Sequence, residues 1–432
     1  MVILGTGWAS YALAKSVDRE LFDVTVVSPR NHFLFTPLLA STCTGTLEHR
    51  SIIEHVRRIG FRSGADFHLA EATDVDPEAK RVMCEPVVGT GEPYTLGYDV
   101  LVMGIGSDPN TFGLEGVQEH ALYLKELAHA RTIRTRVLDN LEEATGAMAG
   151  RLSAARRDEL LNVVVVGGGP TGVEFASEFY DMAVTDVVKY YPSVADSLKV
   201  KLVTGDGLLS TFHASLRAYT EKAITSRANM ELVKHNVTAV KANGVVLDNG
   251  EVIPSACIVW AAGIGERPLT THLEATRGFP LLRRRFKVNG QLQLDGFDDI
   301  YALGDCAAIE DNVHPQTAQV AETQAYYLAD HLKNVVYGRH DASQPYHFQS
   351  KGALAYIGSY RGVADFSMAQ LNAKPKPASS ESSASVGALS GFHAWLVWRS
   401  AYLTKLGSWR ARMQVPIDWM KTFIFGRDLS RF

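Results

Sequence analysis

The sequence has few cysteines and no long apolar run, and both absences restrict what the protein can be. Its four cysteines, Cys43, Cys84, Cys257 and Cys306, lie far apart among 432 residues and form no C-x-x-C pair. This spacing fits neither a disulfide framework nor a structural zinc site, and it favours a reducing compartment. No apolar run approaches the roughly 18 residues that a membrane-spanning helix requires.

Strong charge of one sign is also absent. The net charge of −4 argues against broad nucleic-acid binding. The histidines show no ligand spacing, so we predict no metal site. No signal or transit peptide is recognisable, because residue 2 already belongs to the first predicted strand; any leader has been removed or was never there. The length is sufficient for two or three domains of a globular enzyme.

Two glycine-rich turns give the clearest indication of fold and ligand in the sequence. "VILGTGWAS" (2–10) and "VVVVGGGPTGVEFASE" (163–178) each read as strand, tight turn and helix, 162 residues apart and followed by the same order of elements. The first glycine permits a sharp turn, the second permits close approach of a pyrophosphate, and the helix N-terminus attracts its charge. We therefore predict an α/β protein with two Rossmann-like dinucleotide-binding domains, the two-dinucleotide-binding flavoprotein fold.

The late pair Gly304-Asp305 suggests which dinucleotide each domain holds. An aspartate at the end of a strand can accept hydrogen bonds from the ribityl chain of FAD; the alternative is an aspartate that caps the following helix. We favour FAD in the first domain and NAD(P)H in the inserted middle domain. The predicted segments are 1–120 and 280–345 for FAD, 121–160 for connecting helices, 161–279 for NAD(P)H, and 346–432 for a C-terminal membrane-anchoring and dimerisation region.

The turns predict the binding residues of each dinucleotide. The FAD set begins with Gly5, Gly7, Ser10 (which replaces the third glycine), Ser28, Arg30, Gly304 and Asp305. The NADH set is Gly167, Gly169, Pro170, Thr171, Gly172, Glu174, Thr204 and Gly263. An acid usually binds the ribose at the position of Thr204; Asp206 is a substitute, and the sequence leaves NADPH open as well.

Several element boundaries can also be predicted. Residues 121–144 have helical spacing without glycine or proline, and 296–309 contain a strand that ends at Gly304. Residues 348–366 read as two strands joined by "GSYRG". The segment 372–388 is rich in proline, serine and alanine and predicts a flexible loop.

The C-terminal tail differs from the rest of the chain. Its last 38 residues hold four of the six tryptophans and seven arginines and lysines against two aspartates, a net +5 that leaves −9 elsewhere. Trp395, Trp398, Tyr402 and Leu406 fall on one helical stripe, with Arg399 among them and Trp409 beyond. This pattern suits a helix in the plane of a bilayer interface; the alternative is a dimer interface or a domain lid.

Flavin disulfide reductases carry a cysteine pair beside the flavin, in the helix after the first β-hairpin region. This chain has only Cys43 there and no second cysteine near it in sequence, so a protein dithiol relay is not expected and electrons must leave for an external acceptor. The whole pattern resembles the type II NADH:quinone oxidoreductases, most closely their mitochondrial alternative NADH dehydrogenase branch. The resemblance is carried by "LGTGWAS", "SPRNHFLFTPLLASTCTGT", "GGGPTGVEFASE", "IYALGDCA", "TAQVAETQAYYLA", "KGALAYIG" and the tail from "GFHAWLVW" to "FIFGRD".

The resemblance implies a rotenone-insensitive, non-proton-pumping NADH:ubiquinone oxidoreductase. Hydride would pass from NADH to non-covalent FAD, and two electrons would then reach quinone at the membrane surface. It further implies a homodimer, peripheral on the mitochondrial inner membrane, with the face undetermined. The calcium-binding EF-hand insertion of some family members is absent. Gln316 stands where the family often has proline.

The resemblance also implies further site residues. Trp8, Thr36, Pro37, Thr46 and Ala318 join the FAD set. Glu174 is the candidate for the nicotinamide end and for proton supply, against simple stabilisation of the helix dipole. Gln319 is the candidate for the quinone, against a helix residue bonded to the backbone. A soluble FAD-dependent NAD(P)H oxidase or carrier-protein reductase, and a redox-responsive partner protein with negligible turnover, remain the alternatives.

Overall fold

The computed structural model describes residues 1–59, 66–146, 149–339, 343–367 and 387–431. The chain divides into two compact units. Unit 1 consists of Met1–Leu34, Ile53–Asp108 and Ile264–Gln349, and unit 2 of Phe35–Ile52, Pro109–Gly263 and Ser350–Phe432. Residues 372–386 of the predicted flexible loop lie outside the described residues.

Unit 1 is built on a seven-stranded sheet. In spatial order its strands are Ile300–Ala302, Leu101–Met103, Val2–Leu4, Thr25–Ser28, Phe67–Asp76, Arg81–Pro86 and Tyr94–Gly97. The first five are parallel, and the last two continue antiparallel. Smaller pairings join His32–Leu34 to Ile53–His55, and Leu281–Leu282 to Arg285–Val288 and Ala307–Ile309. Its helices are Trp8–Ser16, Pro268–Arg277 and Ala318–Val336, with 3₁₀ turns at Val56–Ile59 and Gly304–Cys306.

Unit 2 contains a parallel five-stranded sheet in the order Leu122–Tyr123, Cys257–Trp260, Asn162–Val166, Lys199–Val203 and Met230–Val233. Two antiparallel sheets accompany it, one of Val237–Lys241, Gly244–Leu247 and Val252–Pro254, the other of Ala353–Tyr356, Gly362–Asp365 and Ala388–Gly391. The helices are Leu39–Cys43, Val117–His120, Leu127–Thr145, Ala154–Leu161, Pro170–Met182, Val188–Tyr190, Pro192–Ala195, Ala214–Thr225, Phe392–Lys405 and Trp409–Phe425. Short turns of unit 2 occupy Thr36–Leu38, His49–Ile52 and Ala149–Arg151. Two-residue strands lie at Asp108–Pro109, at the sequence boundary of the units, and at Ile264–Gly265 of unit 1.

Both parallel sheets explain the continuous apolar runs of the sequence. The strand Asn162–Val166 is buried at every position, and so is Val2–Leu4. A parallel strand covered on both faces needs apolar residues at successive positions, not at alternate ones. The predicted α/β fold with two Rossmann-like units is confirmed.

Some element boundaries differ from the predicted ones. The helix expected at 121–144 begins at Leu127, because Leu122–Tyr123 pair as a strand with Val259–Trp260. The strand expected to end at Gly304 ends at Ala302. The two strands predicted within 348–366 are present as Ala353–Tyr356 and Gly362–Asp365. Among the described residues, no helix combines the length and the apolar character needed to cross a membrane.

Candidate functional site

The first glycine turn (Gly5–Ser10) follows the strand Val2–Leu4. Gly5 has φ of +99°, and a Cβ there would lie 2.5 Å from the carbonyl oxygen of Gly104, so only glycine fits. Gly7 is the N-cap of the helix Trp8–Ser16, and within the described chain no side chain caps this end. The N–H groups of the first helical turn therefore remain available to a ligand.

Ser10 stands at the third position of this turn, where a glycine is usual. Its hydroxyl donates to the carbonyl oxygen of Leu4 at 2.9 Å and lies 3.1 Å from that of Gly104. A Cβ on residue 104 would lie only 2.1 Å from this hydroxyl. The serine is accommodated because its neighbour is glycine, and the helix still packs closely on the strand.

The other predicted FAD residues of unit 1 lie in small polar groups. The Ser28 hydroxyl is buried, 2.9 Å from the Thr6 hydroxyl, to which Arg30 Nε donates at 3.2 Å. Asp305 accepts a hydrogen bond from the Ser107 hydroxyl at 2.7 Å. Thr6 and Ser107 were not predicted from the sequence, although Thr6 lies within the first glycine turn.

Asp305 does not cap the helix Ala318–Val336, since the side chain of Thr317 accepts from the Val320 N–H there. The capping alternative considered for Asp305 is therefore wrong for that helix. Ala318 and Gln319 are the first two residues of the same helix. Trp8 opens the helix after the first glycine turn, with its ring 5.0 Å from that of Phe33.

The second glycine turn (Gly167–Gly172) repeats this construction in unit 2. Gly167 has φ of +120°, and a Cβ there would lie 2.6 Å from the carbonyl oxygen of Ala261. A Cβ on Gly172 would lie 2.0 Å from the carbonyl oxygen of Gly167, which makes the third glycine a packing requirement. Gly169 is the N-cap of the helix Pro170–Met182, and no described atom lies within 4 Å of its hypothetical Cβ. This side of the turn is open to a ligand.

The remaining NADH candidates lie around this turn. Thr171 is the second residue of the helix Pro170–Met182, and Thr204 directly follows the strand Lys199–Val203. The Thr204 hydroxyl donates to the carbonyl oxygen of Gly207 at 3.2 Å, while Asp206 is exposed. Gly263 has φ of +73° and lies against the ring of Phe112.

The helix Pro170–Met182, which we call the central helix, carries a row of buried acids. Glu174, Glu178 and Asp181 are spaced four and three residues apart and share one face. Glu174 Oε1 accepts from the Tyr356 N–H at 3.1 Å and from Trp398 Nε1 at 3.3 Å. Burial raises the pKa of Glu174 to about 8, although both hydrogen bonds act in the opposite direction. Glu174 is therefore mostly protonated at neutral pH.

The two other acids of the row are held by close contacts. Glu178 accepts from the hydroxyls of Ser41 at 2.8 Å and Thr46 at 2.6 Å. Asp181 accepts from the Tyr356 hydroxyl at 2.6 Å. The sequence analysis identified Glu174 and Thr46 but missed Glu178 and Asp181, whose spacing along the helix was the available signal.

Arg427 connects this row to the end of the chain. Its guanidinium lies 2.9 Å from Asp186 and 3.5 Å from Glu178, and its Nε donates to the Thr46 hydroxyl at 2.9 Å. Asp186 belongs to a π-helical turn, Ala183–Val187, that extends the central helix. Thr46, which was predicted to contact FAD, is thus part of this network. Thr36 and Pro37, also predicted for FAD, begin the 3₁₀ turn Thr36–Leu38.

A cavity of about 950 Å³, which we call the tail cavity, opens beside these residues within unit 2. Acidic residues of the central helix and its π-helical extension line one part, namely Glu178, Asp181 and Asp186. Aromatic and apolar residues line the remainder, among them Phe392, Trp395, Trp398, Trp419, Met420, Phe423 and Phe425. The cavity therefore combines an apolar lining with a small polar region.

The predicted membrane stripe is not on the surface. Trp398 is 3% and Trp395 8% exposed, and Leu406 is buried as well. Arg399 is sandwiched at 4.3 and 4.2 Å between the rings of Trp395 and Trp419. The prediction that Trp395 and Trp398 face a membrane is wrong for this arrangement, whereas Arg399 and Tyr402 are half-buried and for them it stays a prediction. The reason is that their helix, Phe392–Lys405, packs on the sheet of Ala353–Tyr356 and Gly362–Asp365 and on Glu174.

The exposed apolar stripe lies instead on the helix Trp409–Phe425, the C-terminal helix. Its exposed members are Trp409, Met413, Ile417, Met420 and Ile424, spaced four, four, three and four residues apart, together with Phe423 and Phe425. Trp409 is 78% and Phe423 76% exposed. The opposite face, with Ala411, Val415 and Trp419, is buried. Of the predicted membrane residues, only Trp409 belongs to this surface.

Comparison with known proteins agrees with this architecture. Residues 1–325 match the family model of the pyridine nucleotide-disulphide oxidoreductases, and residues 350–428 match the NDH2 C-terminal domain. A probable NADH dehydrogenase of Dictyostelium discoideum is 38% identical over all of this chain and 91% of its own length. An internal alternative NAD(P)H-ubiquinone oxidoreductase A1, mitochondrial, of Solanum tuberosum is 37% identical over all of this chain and 88% of its own length.

A solved structure gives the same result. NDH2 from Plasmodium falciparum, determined in complex with NADH, superposes with a TM-score of 0.88 and 26% identity over 99% of both chains. Both glycine turns and the C-terminal region lie within the aligned lengths. The chain therefore belongs to the pyridine nucleotide-disulphide oxidoreductase family and, within it, to the type II NADH:quinone oxidoreductases.

Proposed function

We propose that this protein oxidises NADH and reduces ubiquinone, with FAD as the carrier between them. The observation that carries the proposal is the duplicated strand, glycine turn and helix, since each copy leaves an uncapped helix N-terminus. Relatives that align over the whole chain are named NADH-ubiquinone oxidoreductases. Their names agree with one binding site for FAD and another for NADH. FAD, when bound, accepts a hydride from NADH and passes two electrons to quinone.

The residues of unit 1 fit the role of an FAD site. Gly5 and Gly7 allow a pyrophosphate to approach the backbone, and the helix dipole favours its charge. Arg30 supplies a cation beside Gly7, with one guanidinium nitrogen 3.7 Å from the position of a Cβ there. We assign Ser28 and Arg30 to the adenosine end and Asp305 to the ribityl chain. Trp8 and Ala318 complete the proposed set in unit 1, while Thr36, Pro37 and Thr46 stay predictions that come from the resemblance.

The residues around the second glycine turn fit NADH. Gly167, Gly169 and Gly172 form the cradle, and Pro170 and Thr171 open its helix. The ribose position carries Thr204, which does not repel a 2′-phosphate, so we expect some activity with NADPH. Gly263 has no side chain and therefore allows the nicotinamide end of NADH to pass close to the backbone.

Reduction of quinone requires two protons, and Glu174 is our candidate to hold one of them. Its pKa of about 8 means that it carries a proton at neutral pH and can release one to a more basic acceptor. Gln319 remains our candidate for contact with the quinone ring. The tail cavity, with its apolar lining, is suited to the isoprenoid part of a lipid quinone.

We further propose that the C-terminal helix docks the protein on a membrane surface. Its exposed stripe of tryptophan, phenylalanine, methionine and isoleucine is accompanied by the cations Arg410 and Lys421. An amphipathic helix of this kind lies in the interface plane of a bilayer. By resemblance to the mitochondrial relatives, we propose a homodimer that is peripheral on the mitochondrial inner membrane.

A flavin titration tests the function. We expect NADH to bleach the flavin absorbance of the purified protein and ubiquinone to restore it, with steady-state turnover under the same conditions. Restoration by oxygen or by a carrier protein, but not by quinone, would instead support the soluble oxidase or reductase. Absence of turnover with every acceptor would support a binding protein without catalysis.

A further inference from the structure

A second cavity of unit 2, distinct from the tail cavity, is lined by an unusual concentration of arginines. It has a volume of about 440 Å³ and is formed by the helix Leu127–Thr145, by His49 and by Ser430. Arg131, Arg134 and Arg136 all belong to its lining, and we call it the arginine cavity. Nothing in the proposed reaction uses it.

Arg134 is the most informative residue of this cavity, because it is 8% exposed yet incompletely paired. Its Nη2 donates to the backbone carbonyl of Asp428, but its Nη1 finds no acceptor among the residues that the structure describes. His49 Nε2 is also buried, and it has no hydrogen-bond partner among the described residues. Buried polar atoms in folded proteins nearly always have partners, so these two atoms beside one cavity point to a missing hydrogen-bonding partner, which for the Arg134 donor is an acceptor.

The position of Arg134 is built into the fold. Gly45 has φ of +79°, and a Cβ there would lie 2.5 Å from Arg134 Nη1. A side chain at residue 45 would therefore displace the guanidinium from its present position. Asp428 and Glu48 stabilise the charge of Arg134 from a distance, but no described carboxylate forms a direct ion pair with it. A buried guanidinium without such a contact is costly, which argues that a ligand compensates its charge.

The charge of the cavity lining is positive. Its single carboxylate, Asp139, is already paired with Arg431. Arg136 donates only to a neutral group, the carbonyl oxygen of Ala256, at 3.0 Å. The pKa of His49 is lowered by burial and then by the charges of Arg134 and Arg131, while Glu48 acts in the opposite direction, so the arginines outweigh the nearby carboxylate at this position.

We propose that the arginine cavity binds a phosphate group. The planar guanidinium presents paired N–H donors that match phosphate oxygens, and the hydroxyls of Thr132, Thr135 and Ser430 in the lining can bind the remaining oxygens. The phosphate belongs either to a soluble ion or to the head group of an anionic phospholipid. Since Ser430 and the Asp428 carbonyl come from the chain end, an occupied cavity joins the helix Leu127–Thr145 to the C-terminal segment.

Binding measurements on the full-length, FAD-loaded protein test this site. NAD⁺ is kept saturating so that the dinucleotide turns do not contribute. One arm titrates inorganic phosphate by calorimetry, and the other measures cosedimentation with vesicles of phosphatidylcholine with or without phosphatidic acid. The variants are Arg131→Gln, whose exposed side chain can change without unfolding the protein, and Arg134→Lys; Arg81→Gln, an exposed arginine of unit 1, is the matched control.

We expect Arg131→Gln and Arg134→Lys to weaken binding at least tenfold, either to inorganic phosphate or to vesicles with phosphatidic acid, depending on which is the ligand. Binding by the control variant Arg81→Gln should not change. Phosphate binding that depends on Arg131 and Arg134 identifies a soluble ion. Dependence seen only with phosphatidic acid identifies a lipid head group. The proposal is overturned if neither arm shows binding, or if the cavity variants bind as tightly as the control.

Discussion

Glu174 is a buried carboxyl whose protonation should control part of the pH dependence of stability. Its folded pKa is about 8, against 4.5 for an unperturbed glutamic acid. The folded state therefore binds the proton more tightly than the unfolded chain does. The resulting stabilisation is fully present below about pH 4.5 and is lost as pH rises through 8, with an upper limit of roughly 4–5 kcal/mol.

Replacing Glu174 with glutamine removes this titration. We expect the free energy of unfolding of the Glu174→Gln variant to fall less between about pH 5 and pH 9 than that of the unchanged protein. Urea denaturation at several pH values measures it, with Glu92→Gln at an exposed position as a control. Quinone turnover should also fall, and unchanged turnover would remove Glu174 from the proton-supply role.

Two glycines of the second turn are expected to have different roles, Gly172 in folding and Gly169 in ligand binding. Gly172→Ala places a methyl group 2.0 Å from the carbonyl oxygen of Gly167 and should lower the melting temperature. Gly169→Ala meets no described atom within 4 Å and should fold normally, but its methyl group would obstruct the pyrophosphate. We expect at least a tenfold rise in the KM for NADH in Gly169→Ala. An unchanged KM would show that the dinucleotide does not approach this turn.

At the scale of elements, Arg427 joins the last segment of the chain to the central helix. The Arg427→Met variant leaves Glu178 and Asp186 buried without their cation, which should cost about 3–5 kcal/mol. The exposed pair of Arg431 and Asp139 provides the comparison, since Arg431→Gln should cost at most about 1 kcal/mol. Thermal or urea unfolding measures both. Equal effects of the two substitutions would contradict the importance of the buried network.

The exposed stripe of the C-terminal helix makes a separate prediction. A Phe423→Ser/Ile424→Ser variant should lose most of its binding to phospholipid vesicles, because these side chains are exposed and apolar. Val87→Ser/Val88→Ser, on an exposed hairpin of unit 1, is the matched control. Cosedimentation measures the bound fraction. Equal binding of both variants would exclude this helix as the docking surface.

The two tail helices show what helical periodicity can predict. The spacing of Trp395, Trp398 and Leu406 correctly indicates an apolar face, but it carries no information about what covers that face. The cover is the sheet of Ala353–Tyr356 and Gly362–Asp365, which depends on long-range pairing. An equally regular stripe from Trp409 to Ile424 stays exposed, and local sequence does not distinguish the two.

At the scale of the whole molecule, local motifs were predictable and distant contacts were not. Both glycine turns follow from a few adjacent residues, and the structure shows why Gly5, Gly167 and Gly172 are required for folding. The network of Glu178 and Arg427 joins residues 249 positions apart, so no local pattern reveals it. Similarly, the predicted helix at 121–144 loses its first residues to a strand pairing with residues 259 and 260.

The same long-range contacts mean that the tail is not a detachable anchor. Truncation after Gly407 removes the C-terminal helix and Arg427, leaves Glu178 and Asp186 without their cation, and uncovers the apolar residues that pack on Val415 and Trp419. We expect this truncated protein to melt well below the full chain and to lose cooperative unfolding, as followed by circular dichroism. Removing only residues 429–432 should lower the melting temperature less. A truncated protein with unchanged melting temperature and full activity would instead mean that the tail serves membrane attachment alone.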